Sequence, residues 1–332
     1  MKYRYVVLGA GRQGVAAAYD LLKHGDAREV VIADSDEGRA REAVATLARL
    51  GAPGVTGRGV ARAVDGADEK SLADVLTGAD AALSAIPYYL NVKVTRAAIA
   101  ARASLCDLGG NTDVVREQIA LDGKAREAGV RIVPDCGLAP GMNNTFAVYA
   151  MERMDEPREV RAFCGGLPQE PKGPLLYSIV FSPEGLTGEY MGTCYTLRGG
   201  KVATVPAFTE PEQVETRVGT LDAFTTSGGT SMAPWTFEGK LDSYEYKTLR
   251  YAGHYERMRA IIDLGLLDLE PVDVKGTRVR PRDVFCAVAG KALDHGRIRD
   301  LVILRVTCRG RKGGRVSQIV VELFDRYDEA TG

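Results

Sequence analysis

Tyr3-Arg4-Tyr5-Val6-Val7-Leu8-Gly9-Ala10-Gly11-Arg12-Gln13-Gly14-Val15-Ala16-Ala17-Ala18 is the stretch whose reading decides the fold. A strand-like run enters six residues of the form G-x-G-x-x-G, and an Ala-rich segment that favours helix leaves them. In that setting Gly9 permits a tight turn, and Gly11 lets backbone N–H groups approach a pyrophosphate. Gly14 lets the helix pack close to the sheet, with the helix N-terminus favouring negative charge. Arg12 and Gln13 fill the rest of the loop. Asp34 closes the second strand twenty residues beyond Gly14, where a carboxylate bonds an adenosine ribose 2′-hydroxyl and repels a 2′-phosphate. With Ser35 beside it, Asp34 makes NAD the expected cofactor and NADP the less favoured one. Arg39 lies nearby and softens that preference if it turns inward.

Outward from this point, short Val/Ile/Leu-rich segments alternate with helical ones. Strands are expected at Tyr3–Leu8, 29–33, 59–64, 81–86, 104–108 and 130–134. Helices are expected at 13–23, 37–50, 71–76, Asn91–Ala101 and 113–128. The alternation predicts a doubly wound parallel sheet, a Rossmann domain, over residues 1–155. Ligands of such sheets lie at the carboxyl ends of the strands. Three further groups there are expected to face the dinucleotide: Asp65, Ser84-Ala85-Ile86-Pro87 and Leu108-Gly109-Gly110-Asn111. Residues 156–332 read as an α+β domain with a mostly antiparallel sheet. Its strands are expected at 158–166, 176–181, 191–197, Lys201–Pro206, 300–308 and 316–324, and its helices at 213–218 and 254–264. Gly310-Arg311-Lys312-Gly313-Gly314 reads as the last turn.

The chain has 332 residues, 45% apolar and 26% charged, with 43 Lys+Arg against 44 Asp+Glu. Near-neutral charge excludes a general attraction to nucleic acid or acidic membrane surfaces. No apolar run approaches the roughly 20 residues of a membrane span, and no secretory leader is visible, so a cytoplasmic location is expected. Six scattered cysteines without a Cys-x-x-Cys pair argue against a zinc site or a disulfide frame, and no metal is expected.

Four blocks mark the substrate side. They are Asp135-Cys136-Gly137-Leu138-Ala139-Pro140-Gly141, Phe181-Ser182-Pro183-Glu184-Gly185-Leu186, Thr225-Thr226-Ser227-Gly228-Gly229-Thr230-Ser231 and Tyr246-Lys247-Thr248-Leu249-Arg250-Tyr251-Ala252-Gly253-His254. In this order they resemble the saccharopine dehydrogenase-like superfamily, closest to its lysine 6-dehydrogenase branch. The resemblance implies NAD-dependent oxidative deamination of the ε-amino group of L-lysine. The product would be 2-aminoadipate 6-semialdehyde, with ammonia released, and the enzyme would be a homodimer acting on a small amino-acid substrate. Saccharopine or carboxyspermidine-type dehydrogenase is the rival within the enzyme class. A non-catalytic NAD-binding sensor or scaffold is the rival outside it. In similar proteins the stretch resembling Asp325-Arg326-Tyr327-Asp328-Glu329-Ala330-Thr331-Gly332 runs on into a further helix, so a C-terminal closing element is expected to be missing here.

The chemistry needs a neutral amine, whose free pKa is ~10.4, a proton path and a water that hydrolyses the imine. An α-carboxylate wants a guanidinium fork. Arg250 is the candidate for that fork, with Thr230 and Ser231 as hydroxyl partners and Tyr251 beside it. Asp135 would orient the amine or the water, and Asp107 is a second carboxylate at a strand end; either alternatively caps its turn. Lys247 and His254 are the acid–base candidates. Cys136 lacks a His partner in sequence, so a small buried thiol is expected there, against the substrate.

Overall fold

The computed structural model describes residues 1–179, 183–296 and 298–329. The chain forms two compact units, Met1–Gly141 and Met142–Gly332.

The first unit runs β1 (Tyr3–Leu8), α1 (Arg12–His24), β2 (Ala27–Asp34), α2 (Glu37–Arg49), α3 (Val55–Arg58), β3 (Gly59–Ala63) and α4 (Glu69–Leu76). It continues with β4 (Ala81–Ser84), α5 (Asn91–Ala101), β5 (Ser104–Asp107), α6 (Thr112–Ile119), α7 (Asp122–Ala128) and β6 (Ile132–Val133). The strands pair in parallel in the order β3-β2-β1-β4-β5-β6. The Rossmann reading therefore holds, with the topological switch between β1 and β4. Val6 and Leu8 pack with Leu72, Leu76, Val94 and Ala98 on one face, while Val7 packs with Ala18, Leu22, Ile32 and Leu47 on the other. A strand covered on both faces reads as an unbroken apolar run, as Val6-Val7-Leu8 does. Asp36, Asp68 and Asn111 cap α2, α4 and α6 through their side chains. The single helix expected at 113–128 is two, because the ladder breaks at Ala120 and Leu121 and Asp122 supplies the acidic first turn of α7.

The second unit begins with α8 (Met142–Met151) and β7 (Glu156–Pro168), then α9 (Pro183–Glu189), β8 (Thr193–Arg198), β9 (Lys201–Pro206), β10 (Glu212–Thr216) and β11 (Gly219–Thr225). After these come α10 (Ala233–Thr236), β12 (Ser243–Tyr251), α11 (His254–Asp263), β13 (Val272–Val274), β14 (Thr277–Val279), α12 (Pro281–Ala292), β15 (Asp300–Lys312) and β16 (Arg315–Arg326). The main sheet has the order β10-β11-β12-β7-β15-β16, with β8 and β9 attached at the start of β12. Only β12 and β7 pair in parallel among its described strands, so the sheet is mostly antiparallel.

Three local expectations fail here. Residues 213–218 are not helical: Glu212–Thr216 is a strand whose side chains alternate between half-buried and exposed, the period-2 pattern that its short length concealed. Residues 176–179 of the expected strand at 176–181 carry no strand; Phe181 and Ser182 lie outside the described residues. The last hairpin turns at Gly313 and Gly314 alone, because β15 continues to Lys312. The terminal residues 330–332 also lie outside the described set. No helix among the described residues is long and apolar enough to cross a membrane, and none of their His, Cys, Asp and Glu side chains group as a metal site.

Candidate functional site

Within the first unit the β1–α1 turn has the shape the glycine pattern demands. Gly9 sits at φ +102°, and a Cβ there would meet the Ala85 carbonyl oxygen at 2.8 Å. A Cβ on Gly14 would lie 1.9 Å from the Gly9 oxygen, so only glycine lets α1 approach the loop. A Cβ on Gly11, the N-cap of α1, would project into open space, as a backbone approached by a pyrophosphate requires. Arg12 and Gln13 open the helix with exposed side chains. Asp34 is buried at the end of β2. Its Oδ2 accepts from Ala10 N at 2.9 Å, and its Oδ1 accepts from Asp36 N at 3.1 Å and, more weakly, from Ser35 Oγ. Burial pushes its pKa up. The Ala10 and Asp36 N–H groups, the Arg39 charge and the Ser35 hydroxyl outweigh that and hold the carboxyl below its usual value. Asp34 is thus a fixed anion beside the glycine turn, and these residues fit a dinucleotide.

The later strand ends form a buried polar lattice. Asp107, fully enclosed, accepts from Gly109 N at 2.8 Å, Asp135 N at 3.1 Å and Gln118 Nε2 at 2.7 Å. Asp135, at φ +57°, accepts from Gly110 N at 3.3 Å and folds over Gly109. Ser84 donates to Asn91 Oδ1 at 2.8 Å. Ala85 N bonds Leu8 O, Ile86 contacts the Gly9 position, and Pro87 precedes a short 3₁₀ turn. Leu108 N bonds Ser84 O, and Asn111 is spent capping α6. Asp65 is exposed and closes its own turn by accepting from Ala67 N at 2.8 Å. Cys136 is exposed, contrary to the expected buried thiol, because the left-handed step at Asp135 turns the backbone outward just before it.

In the second unit the pleat of β12 divides the block around Arg250. Tyr246, Thr248 and Arg250 point to one face, Lys247 and Tyr251 to the other. Arg250 is buried, with Nε donating to Tyr190 Oη at 2.9 Å and Nη1 to Leu249 O at 2.9 Å; its plane lies over the Tyr177 and Tyr190 rings. Tyr190 Oη lies 2.9 Å from His254 Nε2, and His254 Nδ1 lies 2.8 Å from Leu175 O. A carbonyl only accepts, so Nδ1 carries the proton, and Tyr190 donates to Nε2. Burial, then the Arg250 charge, pushes His254 down to about 3 against the pull of the Leu175 carbonyl. His254 is therefore a neutral, enclosed ring that orients Tyr190. Glu189, at the end of α9, stands 3.6 Å from Arg250 Nη2 with its side chain 36% exposed. Crowding by protein raises it to about 6, with Arg250 opposing.

Glu189, Tyr190 and Tyr177 escaped the sequence reading. The one local signal was the i, i+4 pair Leu186 and Tyr190, both buried, which marks the inward face of α9.

The other candidates sit elsewhere. Lys247 Nζ donates to Glu212 Oε1 at 2.6 Å and Glu210 O at 2.8 Å, on the face opposite Arg250. Tyr251 Oη donates to Pro168 O at 2.7 Å on that same face. Thr230 Oγ1 donates to Tyr195 O at 3.0 Å, and Ser231 takes a left-handed turn at φ +50°. Asn143 and Asn144 of α8 hold this loop by donating to Gly229 O and Thr230 O at 2.8 and 3.3 Å.

Comparison with known proteins agrees with this architecture. Residues 5–133 match the saccharopine dehydrogenase NADP binding domain and residues 137–332 the saccharopine dehydrogenase C-terminal domain. The mitochondrial alpha-aminoadipic semialdehyde synthase of Bos taurus is 25% identical over 242 residues, covering 68% of this chain and 26% of that protein. Saccharopine dehydrogenase [NADP(+), L-glutamate-forming] of Saccharomyces cerevisiae is 24% identical over 252 residues, covering 71% of this chain and 54% of the relative. The chain thus matches about a quarter of the synthase and about half of the yeast dehydrogenase. The solved apo structure of the L-Glu-forming saccharopine dehydrogenase from Saccharomyces cerevisiae shares the fold, with a TM-score of 0.76 at 19% identity over 99% of this chain and 88% of that one. Two domain matches that together span nearly all of the sequence place this chain in the saccharopine dehydrogenase family.

Proposed function

We propose that the protein is an NAD-linked oxidoreductase that oxidises a carbon–nitrogen bond in the side chain of an L-amino acid, with the ε-amine of L-lysine as its substrate. One observation carries the substrate class: the buried Arg250 guanidinium stands beside the half-exposed Glu189 carboxylate. A cation and an anion 3.6 Å apart complement the zwitterionic end of an amino acid, the guanidinium for its carboxylate and Glu189 for its ammonium. Tyr190 and His254 fix the guanidinium plane for that fork. The nucleotide, when bound, supplies the hydride acceptor. Asp34 favours NAD, since a fixed anion repels a 2′-phosphate. Asp135 is the candidate for orienting the amine or the hydrolytic water.

Saccharopine is the second reading, favoured by the relatives named for that substrate. It keeps the zwitterionic α-amino acid end of lysine and adds two carboxylates beyond the secondary amine.

Reduced nicotinamide formation with L-lysine and with saccharopine, each with NAD and with NADP, tests the proposal. Turnover of lysine with NAD is expected; turnover of saccharopine alone transfers the assignment to the second reading, and turnover of neither overturns both. Because Glu189 titrates near pH 6, KM for the amino acid is expected to rise as pH falls below about 6, when Glu189 loses the charge that holds the ammonium. A flat KM profile with unchanged kcat removes Glu189 from the site.

A further inference from the structure

Cys106 and Cys136 stand at the carboxyl ends of β5 and β6, Cys106 with no role assigned above and Cys136 exposed where a thiol buried against the substrate was expected. Cys106 pairs with Val133 across the β5–β6 ladder. The backbone then doubles back: Cys136 N bonds Asp107 O at 2.7 Å, and Cys136 Sγ reaches the Val133 carbonyl at 3.3 Å. Both cysteines thus meet at one residue of β6, Cys106 as its ladder partner and Cys136 through its sulfur. Cys136 is exposed and Cys106 half-buried, so an oxidant reaches the pair from solvent.

We propose that Cys106 and Cys136 form a peroxide-responsive thiol pair that closes to a disulfide within the first unit. The interaction of the two thiols with each other pushes Cys106 down, as the partner that ionises, and Cys136 up, as the partner that keeps its proton; burial and the nearby carboxylates of Asp107 and Asp135 add to the rise of Cys136. The Cys106 thiolate attacks one oxygen of a hydroperoxide. The O–O bond breaks, an alcohol or water leaves with a proton, and Cys106 becomes a sulfenic acid. Cys136 then attacks that sulfur. The S–S bond forms, the S–O bond breaks, and the hydroxyl departs as water with the Cys136 proton. Two thiols and one hydroperoxide give one disulfide, one alcohol and one water.

The other four cysteines sharpen the assignment. Cys164, Cys194, Cys286 and Cys308 are buried, and burial holds Cys164 and Cys194 up at about 12 and Cys308 at about 11, unreactive thiols.

Treatment of the folded full-length protein with stoichiometric hydrogen peroxide, followed by alkylation and peptide mapping without reductant, tests this. The expected result is loss of two of the six free thiols, a peptide joining Cys106 to Cys136, a mass loss of two hydrogens and full reversal by dithiothreitol. C106S and C136S are each expected to abolish the crosslink. C106S is expected to leave Cys136 unreactive, and C136S to leave Cys106 trapped as a sulfenic acid, detectable with dimedone. The exposed position of Cys136 keeps C136S folded, which its melting curve checks. A crosslink that includes any other cysteine overturns the proposal. So do six free thiols after treatment, or oxidation of Cys136 alone to sulfinic acid.

Discussion

The two units place their chemistry by different means. In the first, Gly9, Gly11 and Gly14 lie within six residues, and Asp34 reaches their loop after one strand–helix–strand passage, its Oδ2 held by Ala10 N. In the second, Arg250 is fixed by Tyr190, sixty residues earlier, and Tyr190 is fixed by His254, which in turn bonds Leu175, seventy-nine residues away. A site made by local backbone geometry survives loss of one side chain with a changed preference. A site made by a relay of buried contacts fails as a unit.

The widest gap between the two is expected at Arg250. Arg250→Met leaves the Tyr190 hydroxyl without its donor and Glu189 without its countercharge. Water reaches Glu189, so the stability cost is expected to fall below the ~3 kcal/mol of a fully buried pair. Loss of the carboxylate fork is expected to raise KM for the amino acid roughly a hundredfold, with NAD affinity unchanged. Titration calorimetry with NAD and steady-state kinetics read both. An unaltered KM takes Arg250 out of the site.

His254 tests the relay from the other end. Its pKa is lowered in the folded protein, so its contribution is complete above the unfolded value near 6.5 and is lost as pH falls from there toward about 3. At pH 5 that amounts to about 2 kcal/mol on the scale of 1.36 kcal/mol per unit. His254→Asn keeps a side chain able to hydrogen-bond but does not titrate. Denaturant unfolding at pH 7.5 and pH 5 is expected to show a smaller acid destabilisation in the variant. An identical loss in both proteins breaks the relay argument.

Asp34 probes the local site. Asp34→Ser keeps a short polar group at the end of β2 but removes the fixed charge. It is expected to weaken NAD and strengthen NADP binding, each by about tenfold, or 1.4 kcal/mol. Equal affinities before and after refute the ribose assignment.

How much of this was legible follows from the same contrast. The parallel sheet, its strand ends and the glycine turn could be read from sequence because each rests on sequence neighbours: an apolar run, a small residue where a Cβ would collide, an acid at a strand end. The grouping of Lys247, Arg250 and His254 as one block was only half right. Proximity in sequence put them together, and the strand pleat then sent Lys247 to the opposite face. Residues 213–218 read as helix although the strand Glu212–Thr216 occupies most of them, because five residues cannot distinguish a period of 2 from one of 3.6. Glu189 and Tyr190 carry no motif at all. Their role exists only once α9, β12 and α11 have packed.

Lys247 gives the finest test of that separation. Its ammonium bonds Glu212, which Arg161 of β7 also holds while pairing with Glu245 of β12, so a four-member charged cluster ties β10, β12 and β7 together. Burial pushes Glu212 up, but these two cations outweigh it and keep the carboxylate ionised. In Lys247→Met the aliphatic stem is retained and Arg161 still pairs Glu212, so the stability cost is expected to be small, about 1 kcal/mol. A double-mutant cycle with Glu212→Gln should place most of that cost in the pair, with little left when Glu212 is already neutral. KM for the amino acid should respond to Arg250→Met and not to Lys247→Met, since one sheet lies between the two side chains. If Lys247→Met instead raises KM as Arg250→Met does, both faces of β12 serve one site, and the division of labour that the pleat imposes does not hold.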